Sequence, residues 1–278
     1  MQPICFDKMH GLGNDFIVLD CRDTAFDWSR EQIAALAKRH TGIGFDQLLI
    51  IEPATREADF TYRIFNADGS EVEHCGNGAR CFGKYLRDYQ LFDFSRPVKV
   101  AVKRGLIEID YQGLAEGIEQ FSVDMGVPDF SFFTSQQTSA LQQLITVAEQ
   151  EYAFGIVSMG NPHAVCQVEN VVDAPVEEVG RALQQNVLFP DRVNVGFMEV
   201  VSRNEIRLRV FERGVGETQA CGTGACGAVA VGIARGILNE RVFVALPGGR
   251  LQIQWKGEGY PLKMSGAAER VFTGKLVL

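Results

Sequence analysis

The sequence predicts an α+β protein made of two similar halves, each of which interleaves strands with two helices. The first observation is a repeated motif: FNADGSEVEHCGNGAR at residues 65–80 returns 146 residues later as FERGVGETQACGTGAC at residues 211–226. With Cys75 aligned to Cys221, 6 of the 15 columns that begin at these motifs are identical. The second observation is that polar residues at strand ends and turns recur at nearly the same offset. We therefore expect a duplicated unit whose core helix begins at a cysteine.

The first half has the periodicity of a set of strands interrupted by two helices. Residues 29–39 carry apolar side chains at a helical spacing, among them Ile33 and Leu36, and Ser29 is a typical N-cap residue. A second helix follows the first cysteine turn and covers residues 77–87. Strands are predicted at residues 4–9, 16–19, 47–51, 60–65, 98–102 and 106–111.

The second half begins near residues 119–124, where the pattern of strands starts again. Helices are predicted at residues 139–151 and 175–185, and another runs from the second cysteine turn to residue 238. Strands are predicted at residues 121–125, 153–158, 164–168, 195–201, 206–211, 242–246, 251–255, 262–265 and 270–278.

Composition excludes several classes of function. The chain has 278 residues and a net charge of −8, and no lysine- or arginine-rich stripe stands out, which argues against nucleic acid and anionic membranes as partners. No apolar run approaches the ~20 residues of a membrane span, and the first ten residues do not have the shape of a signal peptide. The spacing of the seven cysteines suggests no disulfide framework. We therefore expect a cytoplasmic protein.

The two repeated cysteines stand where a glycine-rich turn enters a helix. The first N–H groups of a helix have no internal partner and carry the positive end of its dipole, so they bind anions. The same position lowers a cysteine pKa from about 8.5 to roughly 3.5–7.5 in favourable sites. Each motif is therefore predicted to supply a reactive sulfur and a cradle for a carboxylate. A single cysteine of this kind is usually a small buried residue, but its duplication at a matched position favours a functional role.

The polar repeat predicts a pocket shared by the two halves. Its pairs, 146 or 147 residues apart, are Asn14 with Asn161, Gln47 with Asn194, and Asn66 with Glu212. A thiolate and a thiol on opposite sides of a carbon can remove a proton from one face and return one to the other, which inverts a stereocentre. Two helix N-termini aimed at an α-carboxylate would stabilise the carbanion that forms.

Five motifs of this chain resemble those of the diaminopimelate epimerases, and the resemblance covers the whole sequence. They are HGLGNDF at 10–16, FNADGSEVEHCGNGARC at 65–81, MGNPHAV at 159–165, RVNVGF at 192–197 and FERGVGETQACGTGAC at 211–226. The resemblance implies interconversion of LL- and meso-diaminopimelate, in lysine and peptidoglycan-precursor synthesis, with neither pyridoxal phosphate nor a metal. It also implies two pseudo-symmetric domains, each a β-barrel-like mixed sheet around a central helix. Their expected limits are residues 1–120 with 267–278, and residues 121–266.

The resemblance also assigns roles to single residues. Cys75 and Cys221 are expected as the two acid/base groups, and His163 and Glu212 as the residues that tune the thiol pKa values. The substrate-binding residues that it implies are Asn14, Gln47, Asn66, Gly76, Asn77, Asn161, Asn194, Glu212, Arg213, Gly222 and Thr223. A homodimer is expected, and Phe272 stands where the family often has a tyrosine at the dimer contact.

Three other readings compete with this one. Proline racemases also use two cysteines, but the polar set with Arg213 fits a second charged end, which proline lacks. The string G-x-G-x-x-G at residues 222–227 is a weak dinucleotide-binding signal because no apolar strand precedes it. A thiol or zinc module could use Cys75 with Cys81 and Cys221 with Cys226, although this is not the usual zinc spacing on both sides.

Overall fold

The computed structural model describes residues 4–55, 57–131 and 140–276. The chain divides into two compact units. The N-terminal unit comprises Met1–Asp124 and Ser265–Leu278, and the C-terminal unit comprises Met125–Met264. In the described ranges, no helix is both long and apolar enough to span a membrane.

Strands dominate both units. They are β1 Ile4–Gly11, β2 Asn14–Asp20, β3 Gln47–Glu52, β4 Phe60–Asn66, β5 Glu71–Val72, β6 Val98–Val102, β7 Gly105–Ala115, β8 Ile118–Asp124, β9 Gln143–Val147, β10 Gln150–Ser158, β11 Pro162–Val168, β12 Asn194–Ser202, β13 Glu205–Glu212, β14 Gly216–Thr218, β15 Arg241–Leu246, β16 Gly249–Gln254, β17 Lys263–Ala267 and β18 Glu269–Leu276. The described helices are α1 Arg30–Ala37, α2 Gly76–Asp88, α3 Val176–Gln184 and α4 Gly222–Ala234.

The two units use the same series of strand pairings. In the N-terminal unit, β1 pairs antiparallel with β2, β2 parallel with β3, β3 antiparallel with β4, and β4 parallel with β6. In the C-terminal unit, β10, β11, β12, β13 and β15 repeat that series in the same order. The strand register is also the same in the two units. Phe16 lies opposite Gln47 in the N-terminal unit. The residues 147 positions later, His163 and Asn194, lie opposite each other in the C-terminal unit. The duplicated architecture that the sequence predicts is therefore present in the backbone.

Each unit wraps its sheet around one buried helix. In the N-terminal unit α2 packs against β1, β2, β7 and β8, and in the C-terminal unit α4 packs against β10 to β13 and β16. The middle of α4 is small, apolar and fully buried from Gly224 to Gly232, which is the pattern of a helix enclosed on all sides. Gly155 of β10 shows how close the packing is, since a Cβ there would lie 2.3 Å from Val231.

The other two helices cover the outside of the strands. The helix α1 buries Ile33 and Ala37 in a cluster with Ile17 and Leu48. It begins where the sequence predicts, because Ser29 and Gln32 form a reciprocal capping box. The helix α3 likewise buries an apolar stripe in the core cluster of the C-terminal unit.

The predicted helix at residues 139–151 is wrong wherever the structure describes it; residue 139 lies outside the described residues. The segment forms the hairpin of β9 and β10 instead. Ile145 and Val147 are buried alternately, which is the period of a strand. The turn places Ala148 and Glu149 at positive φ, 48° and 65°, which is the geometry of a two-residue hairpin. Neither residue is a glycine or asparagine, so the sequence carries no signal for that turn.

Candidate active site

Cys75 occupies the N-cap of the central helix α2. Its backbone is extended, with φ −140° and ψ 116°, and its carbonyl accepts the Ala79 N–H at 2.8 Å, which is the first bond of the helix. The helix can start this close to the sheet because residue 78 is glycine: a Cβ there would lie 3.1 Å from Ile64 and 3.2 Å from Phe16. The repeated cysteine therefore stands at a helix N-terminus, as the sequence predicts.

Asn14 connects this cysteine to the sheet. Its Oδ1 accepts a hydrogen bond from Asn77 Nδ2 at 3.2 Å and lies 3.9 Å from Cys75 Sγ. Its own amide group donates to Asp46 Oδ2 at 3.1 Å, which fixes the orientation of the amide. We call Asn14, Cys75 and Asn77 the N-terminal cluster. Asp46 was missed from the sequence, although it directly precedes Gln47.

The loop that holds Asn14 is braced by charged residues. The Asp15 carboxylate receives hydrogen bonds from Arg39 at 2.8 and 2.9 Å and from Lys8 at 2.6 Å. Although burial raises the pKa of the Asp15 carboxyl, these hydrogen bonds outweigh it and hold the pKa well below the ordinary value. The carboxylate therefore stays charged, and β2 is anchored at the residue after Asn14.

Gln47 and Asn66 form a second polar pair of the N-terminal unit. They lie opposite each other on β3 and β4, and Gln47 Nε2 donates to Asn66 Oδ1 at 3.0 Å. Asn66 Nδ2 in turn donates to Ser70 Oγ at 3.1 Å. The strand register therefore brings Gln47 and Asn66 side by side. The repeat in the sequence relates each of them only to a residue of the other half.

Cys221 occupies the N-cap of α4, at the position that corresponds to Cys75. Its Sγ accepts the Gly224 N–H at 3.3 Å and lies 3.7 Å from Thr223 Oγ1. The residue is only 3 % exposed. Burial raises the pKa of the Cys221 thiol well above its ordinary value, and the negative charge of Glu212 raises it further. The expected lowering of the pKa at a helix N-terminus is therefore not found at Cys221, because loss of hydration outweighs the hydrogen bonds.

Asn161 and His163 lie beside this thiol. Asn161 Nδ2 donates to Thr223 Oγ1 at 3.4 Å, and its Oδ1 is 3.0 Å from His163 Nε2. Burial and, to a smaller extent, the positive charge of Arg213 lower the pKa of His163 to about 3. The imidazole is therefore neutral, and we assign its Nε2 as the donor to the asparagine oxygen. Asn161, His163, Cys221 and Thr223 make up the C-terminal cluster.

Asn194 ties two turns of the C-terminal unit together. The buried side chain accepts the Arg213 N–H through Oδ1 at 2.9 Å and donates to the Pro162 carbonyl through Nδ2 at 3.3 Å. The exposed Arg213 guanidinium donates a hydrogen bond to the Asp191 carbonyl at 3.1 Å. Glu212, one residue earlier, accepts a hydrogen bond from the Thr218 hydroxyl.

The geometry does not support a zinc module. Among the described residues, no group of three or more histidine, cysteine or acidic side chains is placed to hold a metal ion. Cys81 and Cys226 are both completely buried inside helices. Burial also raises the pKa of the Cys81 thiol to about 12, which disfavours the thiolate that zinc requires.

Comparison with solved structures identifies the class of fold. The chain matches a phenazine biosynthesis protein of the PhzF family from Bacillus anthracis with a TM-score of 0.70 and 17% identity, over 100% of both chains. It matches a hydroxyproline epimerase from Agrobacterium vitis with a TM-score of 0.71 and 15% identity, over 99% of this chain and 92% of the other. The protein therefore has the two-unit α+β fold that these proteins share.

Sequence comparison then identifies the family. The diaminopimelate epimerase family profile matches residues 6–136 and 155–271. A diaminopimelate epimerase from Chromobacterium violaceum is 52% identical over 280 aligned positions, which cover 98% of this chain and 99% of that protein. The chain belongs to the diaminopimelate epimerase family, which is a family of isomerases.

Proposed function

We propose that this protein interconverts LL- and meso-2,6-diaminopimelate, with Cys75 and Cys221 as its two acid/base groups. The observation that carries the proposal is the pair of N-cap cysteines, which head matching helices in two units of the same strand register. The 52% identity to a diaminopimelate epimerase selects the substrate. Proline racemization, the nearest alternative, lacks comparable support from sequence identity.

In the proposed reaction one cysteine is a thiolate and the other a thiol. The thiolate takes the α-proton, so that the Cα–H bond breaks, an S–H bond forms and the electron pair remains on the carbon and its carboxylate. The other thiol then gives its proton to the opposite face of that carbon. Burial and Glu212 favour the protonated form of Cys221, which makes it the proton donor of the resting enzyme and Cys75 the base.

The helix N-termini are proposed to hold the carboxylate next to the reacting carbon. The backbone at Gly76 and Asn77 in one unit, and at Gly222 and Thr223 in the other, begins a helix whose first N–H groups lack partners within the helix. Such fixed dipoles stabilise charge that develops on the carboxylate, which is usually the largest catalytic contribution. The reaction is accordingly proposed to need neither pyridoxal phosphate nor a metal.

The remaining polar residues are proposed to bind the distal amino-acid end of the substrate and to tune the thiols. Arg213 is suited to the distal carboxylate because its guanidinium is exposed and can bind an anion in a bidentate manner. His163 and Glu212 are the proposed tuning residues. The proposed distal site comprises Asn14, Gln47, Asn66, Asn161, Asn194, Glu212 and Arg213.

The protein is further proposed to be a cytoplasmic homodimer. The strand β18 exposes Val271 by 58% and Phe272 by 49%, and Phe272 packs edge-on against Phe6 at 6.2 Å. An exposed phenylalanine offers apolar surface that contact with a second copy of the chain would remove from water. Light scattering coupled to gel filtration checks this: Phe272→Asp is expected to give monomers, and a wild-type protein that is already monomeric contradicts the dimer.

Incubation with LL-diaminopimelate in deuterium oxide tests the function. The wild-type enzyme is expected to form the meso isomer with deuterium at one α-carbon, and Cys75→Ala and Cys221→Ala are each expected to abolish epimerisation while the far-UV spectrum is kept. Proline is the comparison substrate. Turnover of proline in place of diaminopimelate would assign the racemase reaction, and stoichiometric zinc in the purified protein would favour the metal module.

A further inference from the structure

A buried tyrosine and a histidine lie directly behind Cys75. Tyr62, on β4, is 1 % exposed and its ring packs against Phe82 with 5.3 Å between centroids. Its hydroxyl is 2.9 Å from Nδ1 of His74, the residue that precedes Cys75. His74 as a whole is half-buried, while its Nε2 atom is inaccessible to solvent. Neither residue is among the proposed acid/base, tuning or substrate-binding residues.

The Tyr62 hydroxyl holds the histidine and lies beside the backbone of the cysteine. We assign its proton to the hydrogen bond with His74 Nδ1. Burial and, to a smaller extent, the positive charge of Arg104 lower the pKa of His74 to about 3. The ring therefore remains neutral near pH 7. The hydroxyl thus fixes the residue that directly precedes Cys75, next to the peptide group that enters the helix.

The matching positions of the C-terminal unit do not repeat this arrangement. At the offset of 146 residues, Leu208 replaces Tyr62 and Ala220 replaces His74. Both are buried apolar residues, so neither can form the same hydrogen bonds. Cys221 is instead held through its own sulfur, which accepts the Gly224 N–H at 3.3 Å. The two acid/base groups are therefore positioned by different means, although the units repeat each other's strand pairings.

We propose that Tyr62 and His74 are positioning residues for Cys75. They fix the backbone at the N-cap so that the Cys75 sulfur points towards Asn14, and they have no such effect on Cys221. This inference rests on the proposed function, in which Cys75 transfers a proton. Removing the tyrosine hydroxyl leaves His74 Nδ1 without its hydrogen-bond partner. A displacement of about 1 Å at a reacting group can lower a rate by about 100-fold. We therefore expect Tyr62→Phe to lower kcat by roughly 10- to 100-fold with little change in KM.

Single-cysteine enzymes separate an effect on Cys75 from a general loss of structure. The Cys221→Ala enzyme keeps only Cys75, and the Cys75→Ala enzyme keeps only Cys221. Each is incubated in deuterium oxide with both diaminopimelate isomers, and exchange of the α-proton without inversion is followed by NMR. Tyr62→Phe is introduced into both enzymes. The matched control is Tyr85→Phe, which removes another tyrosine hydroxyl from the buried part of the same unit, on the ring that stacks on Tyr89.

The expected result is a loss of α-proton exchange by Cys75 alone. Tyr62→Phe should lower exchange by Cys75 roughly 10- to 100-fold and leave exchange by Cys221 within about twofold, while the control changes neither. His74→Asn keeps an acceptor near the Nδ1 position and should retain most of the exchange by Cys75, whereas His74→Leu should behave like Tyr62→Phe. Equal losses in the two single-cysteine enzymes, or no loss in the Cys75 enzyme, would overturn the inference.

Alkylation provides a test that does not depend on the substrate. Wild-type protein and the Tyr62→Phe variant are treated with iodoacetamide, and the modification of each cysteine is followed by peptide mass spectrometry. Cys75 should react several-fold more slowly in the variant because its sulfur is less well placed at the helix N-terminus, and Cys221 should be unaffected. Equal rates at Cys75 in the two proteins would overturn the positioning role. If neither single-cysteine enzyme exchanges deuterium, the two-base function fails, and the alkylation rates still decide this inference.

Discussion

Replacing Glu212 with glutamine tests the electrostatic account of Cys221. The carboxylate is one of the two causes that raise the pKa of this thiol, after burial. Glutamine has nearly the same shape and keeps an oxygen that can accept the hydrogen bond from Thr218. The substitution therefore removes a negative charge with little change in packing. Because a negative neighbour disfavours a thiolate, the pKa of Cys221 should fall, although burial will keep it above the ordinary value.

The size of the change follows from the surroundings of the two groups. A neighbouring negative charge disfavours the thiolate and so raises the pKa of a thiol. Glu212 is half-buried, so solvent screens part of its field and moderates the effect. We expect the rate of Cys221 alkylation below the midpoint to rise by roughly tenfold in the variant.

The assay is the pH dependence of iodoacetamide alkylation, resolved for Cys221 by peptide mass spectrometry. The matched control is Glu217→Gln, which removes the same charge from an exposed carboxylate that is paired with Arg209 at 2.6 Å. The midpoint for Cys221 should move to lower pH in the Glu212 variant alone. An unchanged midpoint, or an equal shift in the control, would refute the account.

Three further outcomes are expected. The unfolding free energy should fall as the pH drops from 6.5 towards 3, because in that range His163 binds a proton in the unfolded chain and not in the folded one. The contribution of His163 is at most about 5 kcal/mol. Urea unfolding of the His163→Gln variant should therefore show a flatter pH dependence. Gly227→Ala should lose about 1–2 kcal/mol and some activity, since a Cβ 3.2 Å from the His163 ring outweighs about 1 kcal/mol of helix propensity; a more stable variant with full kcat contradicts this. Asn194→Ala should cost about 2–4 kcal/mol and raise KM, because Pro162 and Arg213 each lose a hydrogen bond; urea unfolding and steady-state kinetics check both.

Local chemistry explains which features could be predicted from the sequence. A capping residue such as Ser29 acts on the N–H groups of its own helix, so it can be predicted without knowledge of tertiary contacts. The cysteine turns are equally local, because glycine and the start of a helix lie within a few residues. The helix predicted at residues 139–151 failed for the opposite reason. Its apolar residues suit either period, and pairing with a neighbouring strand decided between them.

The sequence by itself determined the duplication, the two N-cap cysteines and the family, since each depends on residue identities at set spacings. Only the tertiary structure decided how those residues are supported and charged. Asp46 orients Asn14 from 32 positions along the chain, and Tyr62 on β4 holds His74, the residue before Cys75. The protonation of Cys221 depends on how completely folding removes water from its sulfur. Burial and long-range hydrogen bonds come into being only when distant segments pack together, so no local pattern encodes them.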